Sequence, residues 1–424
     1  MSDDEPSRRL ASRRGFLTSA AGLAASAGIG LAGDASAAPT GALAHAVEPF
    51  WGPHQGGILT APQHYTYFTA FDIVTTKRAE LAALLRRWTE AAARMAAGAT
   101  AAALDRGAPG PGADTAEALG LPPARLTVTF GFGAGLFIKD GKDRFGLAAQ
   151  RPEALVDLPK FPGDQLVDAR TDGDLSIQAC ADDPQVAFHA VRQLARLAYD
   201  VAQIRWAQAG FIGGYRAGEN PRNLMGFKDG TNNPDVNDAK AMAKFVWAAP
   251  GAPRWMEGGS YVVARRARMA LEHWDRMNVA FQEQTFGRRK YSGAPLGGKA
   301  ETDPPNLDAN DSDGNPVIPE NAHIRLASAA MNDGARILRR SYSYNDGVNF
   351  IAERWPPWRQ AMEYDAGLLF VCYQSDPRTG FIKIFERLSR FDMMNQFVTN
   401  TGGGLFACPG GVAQGSFIGQ HLVE

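Results

Sequence analysis

The chain has 424 residues, 45% hydrophobic and 21% charged, with 44 Lys plus Arg against 45 Asp plus Glu and a net charge of −1. That balance suggests no nucleic-acid or membrane-surface partner, and the length predicts about two domains. Three widely spaced cysteines (Cys180, Cys372, Cys408), none in a CxxC pair, exclude a disulfide framework and a thiolate zinc site.

The N-terminus reads SRRGFLTSAAGLAASAGIGLAGDASAAP. Paired Arg13 and Arg14 precede Phe16 and Leu17, an Ala- and Gly-rich apolar run, and a small-residue site at Ala35-Ser36-Ala37. This order predicts a twin-arginine export signal over residues 1–37, removed on export through the twin-arginine translocon. The apolar run is broken by glycines and followed by Asp34, so no integral membrane segment is expected after removal. A periplasmic, cell-surface or extracellular destination follows. Because this route carries folded proteins, a cofactor inserted before export is expected.

Residues 38 to about 57 carry Pro39, Pro49 and Pro53 and read as an extended arm. HYTYFTAFDIV (64–74) has the aromatic and β-branched content of a strand, and 77–97 the apolar spacing of an amphipathic helix. LTVTFGFGAGLF (126–137) reads as a strand whose glycines mark a bulge or a close backbone approach. LSIQACA (175–181) is a further strand, and the helix after it opens on Asp183 and Pro184. The second half has the same character. SYVVARRARM (260–269), a helix near 270–277, DAGLLFVCYQ (365–374) and the helix FIKIFERLSRF (381–391) follow in turn. Residues 299–321 read as an acidic, exposed connector. Strands and helices without regular βαβ alternation predict an α+β fold of two ferredoxin-like halves, 38–220 and 221–424, each with an antiparallel sheet and flanking helices.

Seven histidines occur, with no HExxH, no GxSxG and no complete GxGxxG loop, so hydrolase and nicotinamide chemistry find no support. His323 lies in NAHIRLA; in an extended segment it would share a face with Arg325, an imidazole beside a cation. That pairing suits an axial haem ligand with an arginine near a propionate, although a backbone-bonded histidine has the same pattern. In ILRRSYSYNDG, a strand would turn Arg339 and Arg340 to opposite faces, one to a pocket and one to solvent. Leu368, Phe370 and Cys372 alternate onto one apolar face, which core packing alone would also explain. GFKDGTNNP (226–234) has turn chemistry sufficient for an ordinary surface loop.

Taken together, PHQGGI (53–58), GFKDGTNNP, GRRKYSGAPL (287–296), HIRLA (323–327), LRRSYSY (338–344) and GLLFVCYQ (367–374) resemble the dye-decolourising peroxidases. The similarity is to the twin-arginine-exported subgroup that includes bacterial deferrochelatase/peroxidases. It implies the dimeric α+β-barrel fold shared with chlorite dismutases and one haem b per chain. On this resemblance His323 is the proximal haem ligand, Asp229 the distal acid and Arg339 the distal arginine. Gly230, Thr231 and Asn232 would lie against the haem edge, Leu368 and Phe370 over its distal face, and Arg325 and Arg339 near the propionates. Asp392 is a candidate partner for the other ring nitrogen of His323. Where many relatives continue HIRLA with Asn-Pro-Arg, this chain has Ser328-Ala329-Ala330. The implied activity is reduction of hydrogen peroxide with oxidation of a dye, phenol or other one-electron donor. The alternative is a deferrochelatase that releases iron from haem and leaves the porphyrin intact. A homodimer is one assembly the resemblance allows.

Overall fold

The computed structural model describes residues 45–105, 107, 112–214, 219–352 and 360–424, so the predicted export signal and its junction lie outside the described residues. Among the described residues, nine strands form one antiparallel sheet. They are β1 (Tyr65–Ile73), β2 (Thr127–Gly133), β3 (Leu175–Ala181), β4 (Ala202–Phe211), β5 (Ser260–Met269), β6 (Leu338–Arg339), β7 (Tyr342–Ala352), β8 (Gln360–Gln374) and β9 (Val398–Cys408).

The first four lie in the order β2-β3-β1-β4, with helices Arg78–Ala96 and Pro184–Leu197 as the connections β1 to β2 and β3 to β4. That is a ferredoxin-like βαββαβ unit. In the second half β7-β8-β5-β9 repeat the order, with helix Lys383–Phe391 between β8 and β9. Short seams join the halves, β2 to β9 through Phe132 and Gly133 and β4 to β7 through Phe211 and Ser343. Because β5 also pairs with β8, eight of the strands close a ring. The fold is α+β, as the sequence pattern predicts.

Local chemistry accounts for the elements. Asp183 caps the helix Pro184–Leu197, its Oδ1 accepting from Gln185 N (2.7 Å) and Val186 N (3.0 Å), with Pro184 in the first turn. The predicted strand 126–137 stops at Gly133 and turns into a short helix, Ala134–Phe137. Its glycines mark a close approach: a Cβ on Gly133 would meet the Gly173 carbonyl oxygen at 2.0 Å. Strands β4 and β9 escape the sequence pattern. β4 alternates in burial but carries Gln, Arg and Ala rather than a β-branched run, and β9 holds Gly402, Gly403 and Gly404.

Period-two alternation gives each strand two faces. Leu369, Val371 and Tyr373 of β8 point into the barrel with Phe68, Trp206, Val262 and Phe406. On the other face of the first half, Phe71, Phe130 and Ile177 pack on Leu84, Trp88 and Leu194 of its two helices. A third cluster, Met225, Phe227, Met269, Trp274, Phe286 and Phe397, lies on the outer side of the second half. Among the described residues no helix is long and apolar enough to cross a membrane.

The arm at 53–58 is fastened rather than loose. The buried Gln55 side chain accepts from Phe130 N (2.8 Å) and donates to the carbonyls of Phe130 (3.0 Å) and Pro409 (2.9 Å), tying β2 to the end of β9. Gln55→Leu strands these backbone groups away from water. The expected loss is about 2–4 kcal/mol in a chemical denaturation curve, and a change below about 0.5 kcal/mol would contradict the clasp.

Candidate active site

The loop GFKDGTNNP is built from its neighbours inward. Phe227 is buried and stacks on Phe286 with ring centroids 3.9 Å apart, so the loop begins in the third core cluster. Lys228 Nζ donates to the Asn220 carbonyl (3.0 Å), and Asp229 N to that of Pro221 (2.8 Å). Gly230 takes φ +98, a left-handed value that an L side chain rarely adopts. The Asn233 amide then works like a strand edge, its Nδ2 donating to the Arg339 carbonyl (2.8 Å) and its Oδ1 accepting from Arg339 N (3.1 Å).

Arg339 sits in β6, paired with Cys372 of β8. This register turns its side chain into a cleft, where Nη1 donates to Asp229 Oδ1 at 3.0 Å. Arg340 takes the opposite face, but it does not meet solvent as the sequence suggested. It is 4% exposed and donates to the Thr60 carbonyl and to Gln63 Oε1. Because the sheet closes into a ring, its other face is an interior.

His323 lines the same cleft. Its Nδ1 lies 2.6 Å from Oδ2 of Asp392, which is 6% exposed and also accepts from Met394 N (2.8 Å). An ionised carboxylate only accepts, so Nδ1 is the donor in this contact, which leaves Nε2 as the ring nitrogen that could ligate a metal. The NAHIRLA segment is not extended: His323–Leu326 is one turn of helix. Residues two apart on a helix face away from each other, so Arg325 does not share the face of His323. The Arg325 guanidinium donates to the Leu307 and Ile318 carbonyls, and Arg325 is absent from the cleft lining.

The remaining expected residues, Gly230, Thr231, Asn232, Leu368 and Phe370, all line the cleft. So do Phe286, and Ile384, Phe385 and Leu388 from the helix Lys383–Phe391, which complete an apolar lining. Sequence reasoning missed Asn233, Glu301 and Arg336. Asn233 was read only as part of a turn, since Asn before Pro is a turn signal in its own right. Glu301 had none, standing in a stretch read as an exposed acidic connector. Much of 299–321 is exposed, yet Glu301 Oε1 accepts from Asn220 Nδ2 (2.7 Å) and Thr231 Oγ1 (2.9 Å).

Electrostatics reinforce that anchor. Burial opposes ionisation of Glu301, but hydrogen bonds from Asn220 and Thr231 and the charges of Lys228 and Arg288 hold its carboxyl below the usual range. Burial, with Arg339 nearby, lowers the Arg288 guanidinium against the pull of Glu301.

The cleft fits haem by the chemistry of its lining. The His323 imidazole stands at one position, a carboxylate–guanidinium pair at another, and apolar side chains between them suit a flat macrocycle.

Comparison with known proteins agrees. A family model described as Dyp-type peroxidase, N-terminal, matches residues 55–212, and its C-terminal counterpart matches 220–413. A dye-decolorizing peroxidase of Thermobifida fusca (strain YX) is 39% identical over 460 aligned residues, covering 100% of both chains. The chain belongs to the dye-decolourising peroxidase family. A deferrochelatase of Yersinia pseudotuberculosis (strain IP32953) is 38% identical across 89% of this chain and 85% of that protein. The oxyferrous complex of DtpA from Streptomyces lividans superposes with a TM-score of 0.82 at 42% identity, over 92% of this chain and 100% of that one. Like other dye-decolourising peroxidases the protein is a haem enzyme, and haem is its cofactor.

Glu301 gives a test with a fixed sign. A carboxyl whose folded value is depressed adds stability above its unfolded value of about 4.3, and loses it as pH falls through the folded value. Glu301→Gln therefore lowers the melting temperature at neutral pH, and the gap to wild type closes in acid below the usual carboxylate range. A gap unchanged across that range would contradict the anchor.

Proposed function

We propose that this haem peroxidase works through Asp229, Arg339 and His323, with residues 221–424 as the half that carries the site. The observation that supports this reading is the meeting of two pairs, Asp229–Arg339 and His323–Asp392, in one apolar-walled cleft.

Bound haem would supply the redox-active iron that couples the reduction of hydrogen peroxide to the oxidation of a donor. His323 would hold the iron through Nε2, and the hydrogen bond from Nδ1 to Asp392 would fix the tautomer and raise the basicity of the ring. Asp229 accepts a proton from one oxygen of hydrogen peroxide and returns it to the other, which leaves as water. Arg339 keeps its charge throughout, so it cannot be the base. It orients the Asp229 carboxylate at 3.0 Å and stabilises the negative charge that builds up as the O–O bond breaks. Leu368 and Phe370 would exclude water from the bound cofactor, and Gly230, Thr231 and Asn232 would offer it backbone and small polar groups. Two one-electron oxidations of a dye, phenol or other donor, with two protons, would reduce the second peroxide oxygen to water as well.

Residues 1–37, with SRRGFL, act in this reading as a twin-arginine signal that exports the folded, haem-loaded protein to the periplasm or beyond. The likeness to a deferrochelatase supports a second reading, removal of iron from haem with the porphyrin intact. Incubation with haem separates the two: fluorescent metal-free porphyrin accumulates only in the second.

His323→Ala is expected to purify with roughly a tenth or less of the wild-type haem, since it would lose the side chain proposed to hold the iron. Haem content is read from the pyridine haemochrome spectrum. Full occupancy with an unchanged Soret band would remove His323 from the axial position.

A further inference from the structure

Five cations line the cleft: Lys228, Arg265, Arg288, Arg336 and Arg339. Four are already committed. Lys228 serves the Asn220 carbonyl and lies near Glu219 and Glu301; Arg265 pairs with the buried Asp164. Arg288 donates to the carbonyls of Gly293 and Glu301, and Arg339 to Asp229. Arg336 alone of the five makes no hydrogen bond or ion pair to the described residues, and it is exposed. Ala335 and Ile337 line the cleft on either side of it.

The acids of the lining are committed too, Asp229 to Arg339 and Asp392 to His323. The cleft thus keeps one unspent positive charge, at an exposed point of its wall. Haem carries two carboxylates that are costly to bury and easy to leave half-hydrated at such a place. Arg325, the cation that the sequence put forward for this duty, is bonded to the Leu307 and Ile318 carbonyls. We propose that Arg336 is the residue that receives a haem carboxylate, a fork-shaped donor matched to a planar acceptor. The proposal rests on the haem reading and adds to it the side chain that recognises the acidic edge of the ring.

The preceding turn supports the placement. Asp333 adopts a left-handed φ of 52 and Gly334 one of 82, and Asp333 pairs with Lys383. The chain reverses there and runs directly through Arg336 into β6, so Arg336 and Arg339 reach one cleft from a single short segment.

The test uses the full-length protein reconstituted with haem or with haem dimethyl ester, whose carboxylates are masked. Loss of each to excess apomyoglobin is followed at the Soret band for wild type, Arg336→Gln and Arg336→Lys. Wild type is expected to hold haem roughly tenfold longer than the ester at low salt, the scale of one charge-assisted hydrogen bond. Arg336→Gln should release the two at nearly equal rates, and Arg336→Lys should restore part of the difference. Added salt should shrink the wild-type preference, since the pair is exposed. If Arg336→Gln keeps the full preference, or wild type shows none, the assignment to Arg336 is wrong. If wild type takes up neither ring, the haem reading itself fails.

Discussion

The site depends on a side chain that does no chemistry. The Asn233 amide closes two hydrogen bonds onto the backbone of Arg339, and so attaches the loop 226–234 to the edge of a β-strand. Without that attachment Asp229 and Arg339 are 110 positions apart in sequence and belong to different elements. With it they are held at 3.0 Å. Phe227 anchors the same loop in a buried aromatic cluster, and Glu301 holds it through Thr231. An acid and a base-stabilising cation gain most when their geometry is set before substrate arrives, because no reorganisation is then left for the reaction itself.

Closure of the sheet imposes the second constraint. In a ring of strands, one face of every strand is interior and the other is free to hold a helix or a ligand. Along β8 the interior face takes Leu369, Val371 and Tyr373, and the outer face turns Leu368 and Phe370 to the cleft. The helix Lys383–Phe391 supplies Ile384, Phe385 and Leu388 to the same space, so a thin apolar slot lies between sheet and helix. His323 enters this slot on one turn of helix, with its outer nitrogen held by Asp392. Its buried charges meet as pairs, Asp229 with Arg339 and Asp392 with His323, the condition under which an apolar cavity tolerates charge.

The sequence made much of this legible, for reasons that differ by residue. Strong period-two runs such as LSIQACA and GLLFVCYQ announced strands, and capped amphipathic runs announced helices. Motifs singled out Asp229, His323 and Arg339, and all three line one cleft, because their side chains are not spent on packing a core. Pattern failed where tertiary structure overrides local preference. β9 has three consecutive glycines, yet it forms a strand because its neighbours on both sides demand close backbone approach. Arg340 looked solvent-facing, since nothing in two adjacent arginines reveals that the sheet closes on itself. Arg325 looked like a cofactor ligand only while HIRLA was taken as extended. One turn of helix moves it to the opposite side, and Arg336, thirteen residues from His323, faces the cleft instead.

The absorption spectrum of the purified protein, followed by stopped flow after one equivalent of hydrogen peroxide, tests the central claim most directly. The Soret band is expected to shift promptly in wild type and at least about tenfold more slowly in Arg339→Leu, which loses one preorganised charge. A wild-type rate in Arg339→Leu, or no Soret band even after haem is supplied, would contradict it.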